Sequence, residues 1–209
     1  MRITKYGHSC LLVEQGDARL LLDPGAYSAG FEQLSGLTGI LVSHQHADHV
    51  DLDRLPVLLD GNPEAVLHAD EATAAQLSER GLPVRAVHEG DRLDLGSPIR
   101  AVGRDHGLVH PDIPRVPNVG YLVDERFFHP GDSFTVPDAE IEVLGVPTAA
   151  PWLKAAEAVD YLRAVRPRVG VPIHEAVLSR PQMHYGLFER LAPAGTEVRV
   201  IDDAGTVDF

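Results

Sequence analysis

The sequence predicts a mixed α/β layered fold with much antiparallel pairing. Three observations carry that expectation. Short apolar runs of strand length alternate with turn residues through the first half, helical periodicity is confined to a few later segments, and no fixed-period repeat or low-complexity tract interrupts the chain. The runs "SCLLVEQ", "ARLLLD" and "GILVS" are bounded by "EQGD", "DPG" and "LSGLTG", so the opening is read as a β-meander. After "DHVDLDRL", the strand "AVLHA" leads into "DEATAAQLSERG", a helix with Asp70 as its N-cap and Gly81 as its stop. Short strands follow around "VRAVHEG", "RLDLG", "PIRAVGRDH", "VGYLVDE", "RFFHPGD" and "IEVLGVP". In the last third, "PWLKAAEAVDYLRAVRP" predicts a helix opened by Pro151 and closed before Pro167, and "RPQMHYGLFERLAP" predicts another. Between them "RVGVPIHE" reads as a buried strand, and "EVRVID" and "TVDF" as terminal strands.

With 209 residues, 44% of them hydrophobic, and no obvious linker, the chain is expected to form one domain over residues 1–209. Its formal net charge is −13, from 18 basic and 31 acidic residues. No cluster of Lys or Arg could neutralise successive phosphates, so nucleic acid is not an expected partner. No apolar stretch reaches the roughly eighteen residues that a membrane span needs, and the N-terminal segment has no small-residue cleavage pattern. A single cysteine, Cys10, fits a reducing compartment. These features lead to the expectation of a soluble cytoplasmic protein that acts on a small molecule. Cys10 sits beside Leu11 and Leu12 in a strand-like run and reads as core.

The stretch "SHQHADH" places His44, His46, Asp48 and His49 within six positions after the apolar run "GILV". In an extended chain, side chains two apart point the same way, so His44 and His46 can close on one cation, as imidazoles do for zinc. Asp48 and His49 are adjacent and cannot both follow that face unless the chain turns. A turn there aims them at a neighbouring point, which favours a dinuclear site. Further ligands are then expected at the ends of later strands. "RAVGRDHGLVH" offers His106 and His110, "FFHPGDS" offers Asp132, and "VGVPIHE" offers His174. Singly, each could be a turn or surface residue. Beside the first motif, they complete a ligand set.

The pattern resembles that of the metallo-β-lactamase fold hydrolases: H-x-H-x-D-H, then a lone His, a G-D pair and a final His, each at a strand end. The similarity extends to "YGHSCLLVE" followed by "LLLDPG", to "NVGYLVDERFFHPGDS" and to "GVPIHE". It is closest to the small single-domain branch of metal-dependent hydrolases related to ascorbate-6-phosphate lactonase. The resemblance implies a four-layer αβ/βα sandwich with two divalent metal ions at one edge of its sheets. It implies that His44, His46 and His106 hold the first metal, that Asp48, His49 and His174 hold the second, and that Asp132 bridges both. His106 is preferred to His110 because the family ligand is the first His after the strand. Zn2+ is the expected ion, with Mn2+, Fe2+ and Ni2+ compatible with the same donors. Around these, Asp23 is expected either to buttress the metal loop, as the equivalent Asp does in relatives, or to be an ordinary turn residue before Pro24. His8 is expected to contact substrate or a metal-bound oxygen, or to be a packed strand histidine, and His129 to brace Asp132. Trp152 is assigned to core packing ahead of a place in the pocket wall, and His68, His88 and His184 to the surface. Ser133 stands where relatives usually have Thr, and "VPTAAPWLK" and "DHGLVHPDIPRVPN" are this chain's own pocket-shaping segments.

The expected activity is hydrolysis of a small-molecule ester, lactone or phosphodiester. Two divalent cations outweigh two carboxylates, hold hydroxide between them near neutral pH, polarise the scissile carbonyl or phosphoryl oxygen, and steady the leaving group. Asp48 orients the hydroxide. The alternatives are a di-iron oxidoreductase, which on this scaffold usually has Glu in place of His46 and carries a flavin domain, and a non-catalytic metal-binding protein.

Overall fold

A computed structural model describes all residues from 1 to 209. Two seven-stranded sheets face each other across an apolar layer, and helices cover both outer faces. The first sheet contains β1 (Arg2–Lys5), β2 (Leu11–Gln15), β3 (Ala18–Leu22), β4 (Gly39–Val42), β5 (Val66–Asp70) and β6 (Val84–Val87). The second contains β7 (Arg92–Asp94), β8 (Pro98–Val102), β9 (Gly120–Val123), β10 (Phe127–His129), β11 (Val143–Pro147), β12 (Val169–Ile173) and β13 (Glu197–Val198). The last strand, β14 (Thr206–Asp208), returns to pair with β1 in the first sheet. Strand order is β14-β1-β2-β3-β4-β5-β6 in one sheet and β13-β12-β11-β10-β9-β8-β7 in the other.

The layering follows from the two-residue period of strand side chains. Leu11, Val13, Leu20, Leu22 and Leu41 face inward and meet Tyr121, Val123, Phe127, Val143 and Val171 of the second sheet. Their neighbours Leu12, Leu21, Ile40 and Val42 face outward beneath α1 (Leu55–Asp60) and α2 (Glu71–Glu79). On the opposite side Leu122, Phe128, Leu144 and Val146 pack under α3 (Ala155–Val165) and α4 (Gln182–Leu191). The central strands β4, β9, β11 and β12 are thus buried on both faces and read as continuous apolar runs.

Several sequence expectations change. The opening is not a β-meander: β1, β2 and β3 pair antiparallel, but β4 pairs parallel to β3 in the register Leu20↔Gly39. The sixteen-residue connection from Asp23 to Thr38, which includes a 3-10 turn at Phe31–Gln33, is long enough for that crossover. Across both sheets six strand pairs are antiparallel and six parallel, so antiparallel pairing is half of the ladder. Asp70 does cap α2, accepting from the backbone N–H groups of Ala72 and Thr73. The third helix begins at Ala155, not Pro151: Glu157 accepts from the Lys154 N–H at 2.7 Å and fixes the start there. His68 is buried at 4% exposure, because it lies on a central strand opposite the outward-facing Leu67 and Ala69. No helix is long and apolar enough to cross a membrane.

One ion pair ties the sheets together. Lys5, 1% exposed at the end of β1, reaches Glu175 just past β12 at 2.5 Å and donates to the Pro172 carbonyl at 3.3 Å. Removing one member leaves the other charge unpaired in a buried setting. The expected cost of Lys5→Met is therefore about 3 kcal/mol, recovered largely by adding Glu175→Leu; urea denaturation of the two variants measures it.

Candidate metal centre

The connections after β3, β4, β8, β10 and β12 converge at one edge of the sandwich, and they carry every residue of the predicted ligand set. After β4 the chain stays extended through His44 and then turns, with the N–H groups of His49 and Val50 both donating to the His46 carbonyl. That turn separates the motif into two groups. His44, His46, His106 and Asp132 form one, and His8, Asp48, His49 and His174 form the other. Within each group the candidate ligand atoms all lie within 4.8 Å of one another. His8, expected only near the site, thus belongs to the second group. His110 is brought to neither group; its side chain is 60% exposed, and Nδ1 accepts from the Asp112 N–H.

Asp132 stands between the groups. Its Oδ1 lies 3.1 Å from His49 Nε2 and 3.2 Å from His174 Nε2, while its Oδ2 lies 3.3 Å from His106 Nε2. None of these approaches has hydrogen-bond geometry: His49 Nε2, His106 Nε2, His174 Nε2 and Asp132 Oδ1 are buried without a partner. Each such atom costs about 1–3 kcal/mol, and native proteins keep few of them. Four aimed at one small volume form a donor set that fits cations, with imidazole nitrogen and carboxylate oxygen as the ligand chemistry.

The other ring nitrogens are already held, which orients each imidazole. His49 Nδ1 is 2.6 Å from Asp23 Oδ2, His106 Nδ1 donates to the Gly107 carbonyl at 2.7 Å, and His174 Nδ1 donates to the Ala149 carbonyl at 2.6 Å. Asp23 is fully buried and also accepts from the Ser43 N–H and the Ser43 hydroxyl, both at 2.7 Å, so it buttresses the loop and is no simple turn residue. His129 Nε2 donates to the Ser9 carbonyl, and its Nδ1 accepts from the Gly131 N–H beside Asp132. His8 Nδ1 accepts from the Ala176 N–H at 3.2 Å, so Nε2 carries the proton and donates to Asp48 Oδ2 at 3.2 Å.

Close backbone contacts complete the site. A Cβ at Gly25 would fall 1.8 Å from the Asp48 carbonyl oxygen, and one at Gly131 would fall 2.3 Å from Asn118 Oδ1. Asn118, absent from the sequence reading, bonds the Asp132 N–H and the Pro130 carbonyl at 2.9 Å each. A buried Asn beside a strand start carries no spacing signal, so only the fold reveals it. Trp152, assigned to core packing, instead donates from Nε1 to Asp132 Oδ2 at 2.7 Å.

The charges are strongly coupled. Burial works to lower the His174 pKa, but the nearby Asp132 and Asp48 carboxylates, 3.2 and 3.3 Å from its Nε2, push it up to about 9. Burial also opposes the charged form of His49, yet Asp132 and Asp23 hold it well above the usual imidazole range. Asp132 is kept well below the carboxylate range: burial acts to raise it, and His49, His106 and His174 outweigh burial. His44 is driven well below its ordinary value by burial and by neighbouring His49. Protons on His49 and His174 therefore compete with a cation. In chelator-treated protein, apparent metal affinity is expected to rise with pH through about 9, the region in which His174 gives up its proton. Calorimetric titration in buffers of different ionisation enthalpy measures the released protons. Asp23→Ala removes the His49 buttress, and metal affinity is expected to fall by about 10–100-fold in a chelator competition.

Residues 2–174 match the family described as Beta-lactamase superfamily domain. The chain is similar to Protein Rv0786c of Mycobacterium tuberculosis, at 48% identity over 217 residues covering the whole of both chains. It is also similar to the UPF0173 metal-dependent hydrolase MJ1163 of Methanocaldococcus jannaschii, at 24% identity over 95% of each chain. Among solved structures it is similar to Igni18, a novel metallo hydrolase from Ignicoccus hospitalis, with a TM-score of 0.74 and 20% identity over 99% of this chain and 97% of that one. With its two sheets, their shared edge and a family match over most of its length, the chain belongs to the beta-lactamase superfamily domain family.

Proposed function

We propose that this chain is a dinuclear metal-dependent hydrolase acting on a small-molecule ester, lactone or phosphodiester. In this reading His44, His46 and His106 hold one divalent cation, Asp48, His49 and His174 hold the other, and Asp132 bridges them. The observation that carries it is the convergence of three buried, unpartnered imidazole nitrogens on the Asp132 carboxylate, whose Oδ1 is itself unpartnered. The names of relatives such as the metal-dependent hydrolase MJ1163 support the reaction class. Two divalent cations at such a centre, Zn2+ by preference among the ions these donors suit, supply Lewis acidity and a water acidic enough to attack near neutral pH.

The chain's own groups supply position and charge. Asp48 is the carboxylate of the three that solvent reaches, with its side chain 21% exposed against 1% for Asp23 and 4% for Asp132. Burial acts to raise its pKa, but the His174 imidazole 3.3 Å away and the hydrogen bond from His8 hold it well below the usual range, so it stays ionised. It is the group placed to orient the attacking water. His8, lowered to about 4 mainly by burial, is neutral at pH 7 and serves as a fixed donor to Asp48. Cys10 is fully buried, with its thiol pushed up by burial, and offers no nucleophile.

Substrate size follows from the opening. Beside His106 lies a cleft of about 500 Å³ walled by Trp152, Phe134 and Arg115, within the range for small-molecule sites. A net charge of −13 argues against a polyanionic substrate. Metal analysis followed by a screen of lactones, phosphodiesters and β-lactams tests the proposal, with His46→Ala as control. The wild type is expected to carry two metal ions per chain, and the folded variant to lose metal and all turnover. Unchanged turnover in His46→Ala would place the activity elsewhere.

A further inference from the structure

Trp152 is the only tryptophan, and it lies between β11 and α3, outside every motif that led to the metal centre. Its indole Nε1–H is the one hydrogen-bond donor to the Asp132 carboxylate, at 2.7 Å to Oδ2. The remaining neighbours of that carboxylate are imidazole nitrogens at 3.1–3.3 Å. Indole nitrogen donates but cannot ligate, so this contact cannot be a substitute metal ligand.

The ring is held from several sides. Phe134 and His106 meet it edge-on, with ring centroids 4.8 Å and 5.9 Å away. Gly107 lies flat against it, and a Cβ there would fall 2.1 Å from Trp152 Cε3. The same glycine's N–H donates to the Asp132 carbonyl at 2.7 Å. Asp132 is therefore gripped at its backbone by Gly107 and at its carboxylate by the indole that Gly107 admits.

A carboxylate turns easily about its Cβ–Cγ bond, whereas bridging requires each oxygen to face its own site. We propose that Trp152 is a positioning residue for the bridging carboxylate. Its N–H locks the rotation of Asp132 with Oδ1 toward His49 and His174 and Oδ2 toward His106, and so strengthens cation binding at the shared centre. This rests on the metal-centre reading above but not on hydrolysis, and its readouts are binding and spectroscopy.

In uniformly 15N-labelled full-length protein, the single indole N–H gives one resonance. Zn2+ titration of chelator-treated protein is expected to move that resonance in step with metal uptake. Trp152→Phe keeps an aromatic ring but removes the donor, and is expected to fold with zinc affinity reduced by about 10–100-fold in competition with a chromophoric chelator. Gly107→Ala, which unseats the indole without deleting it, is expected to lose affinity in the same direction. Wild-type affinity in folded Trp152→Phe overturns the proposal. So does an indole resonance that ignores bound zinc, which decides the matter even if the variants fail to fold. A wild type that takes up no zinc defeats the metal-centre reading and this proposal with it, whereas zinc uptake without any hydrolysis defeats only the reaction class.

Discussion

The centre exists only where strand ends from two different sheets meet, and Asp132 is the group that both halves touch. His44, His46, Asp48 and His49 come from the end of β4 in the first sheet; His106, Asp132 and His174 come from the ends of β8, β10 and β12 in the second. Neither sheet can assemble the site alone. What brings the two edges into register is the apolar layer between them, where Leu22 and Leu41 pack with Tyr121 and Ile173 just below the centre. Tyr121 also donates across the gap to the Val42 carbonyl at 2.9 Å, which fixes the height at which the metal loop leaves its strand.

Above that layer the polar groups are ranked by burial, and the ranking separates their roles. Asp23 and Asp132 are sealed in and hold histidines, while Asp48 keeps one side to solvent. Low dielectric makes each pairing strong and each missing partner costly, so such a network specifies one arrangement when all its members are satisfied. The unpartnered Nε2 atoms of His49, His106 and His174 are the conspicuous exception, and all three lie 3.1–3.3 Å from Asp132.

The backbone bears a matching strain. His8, Asp23 and His174 all adopt the left-handed conformation, at φ 49, 47 and 62, which costs non-glycine residues roughly 1–3 kcal/mol each. At each position a hydrogen bond compensates: Asp23 N–H to the Leu41 carbonyl, and His174 N–H to the carbonyl of His8. The tight bends aim side chains into a volume that regular strands would carry them past. Gly25 and Gly131 serve the same end by letting two backbones approach where any side chain would collide.

The local motif determined much by itself. His44 and His46 share a side because an extended chain has a period of two, and Asp48 with His49 demands a turn; both facts are contained within six residues. Asp70 as a helix cap was legible for the same reason, since its partners lie two and three positions on. Tertiary structure alone decided what depends on distant segments. It grouped His106 rather than His110 with the other candidate ligand atoms, buried His68, turned β4 parallel to β3, and carried Asn118 and Trp152 to Asp132. A side chain's neighbours along the chain fix its periodicity and capping, but its partners across 14 or 20 positions are set by how the two sheets close on their common core, which no local spacing records.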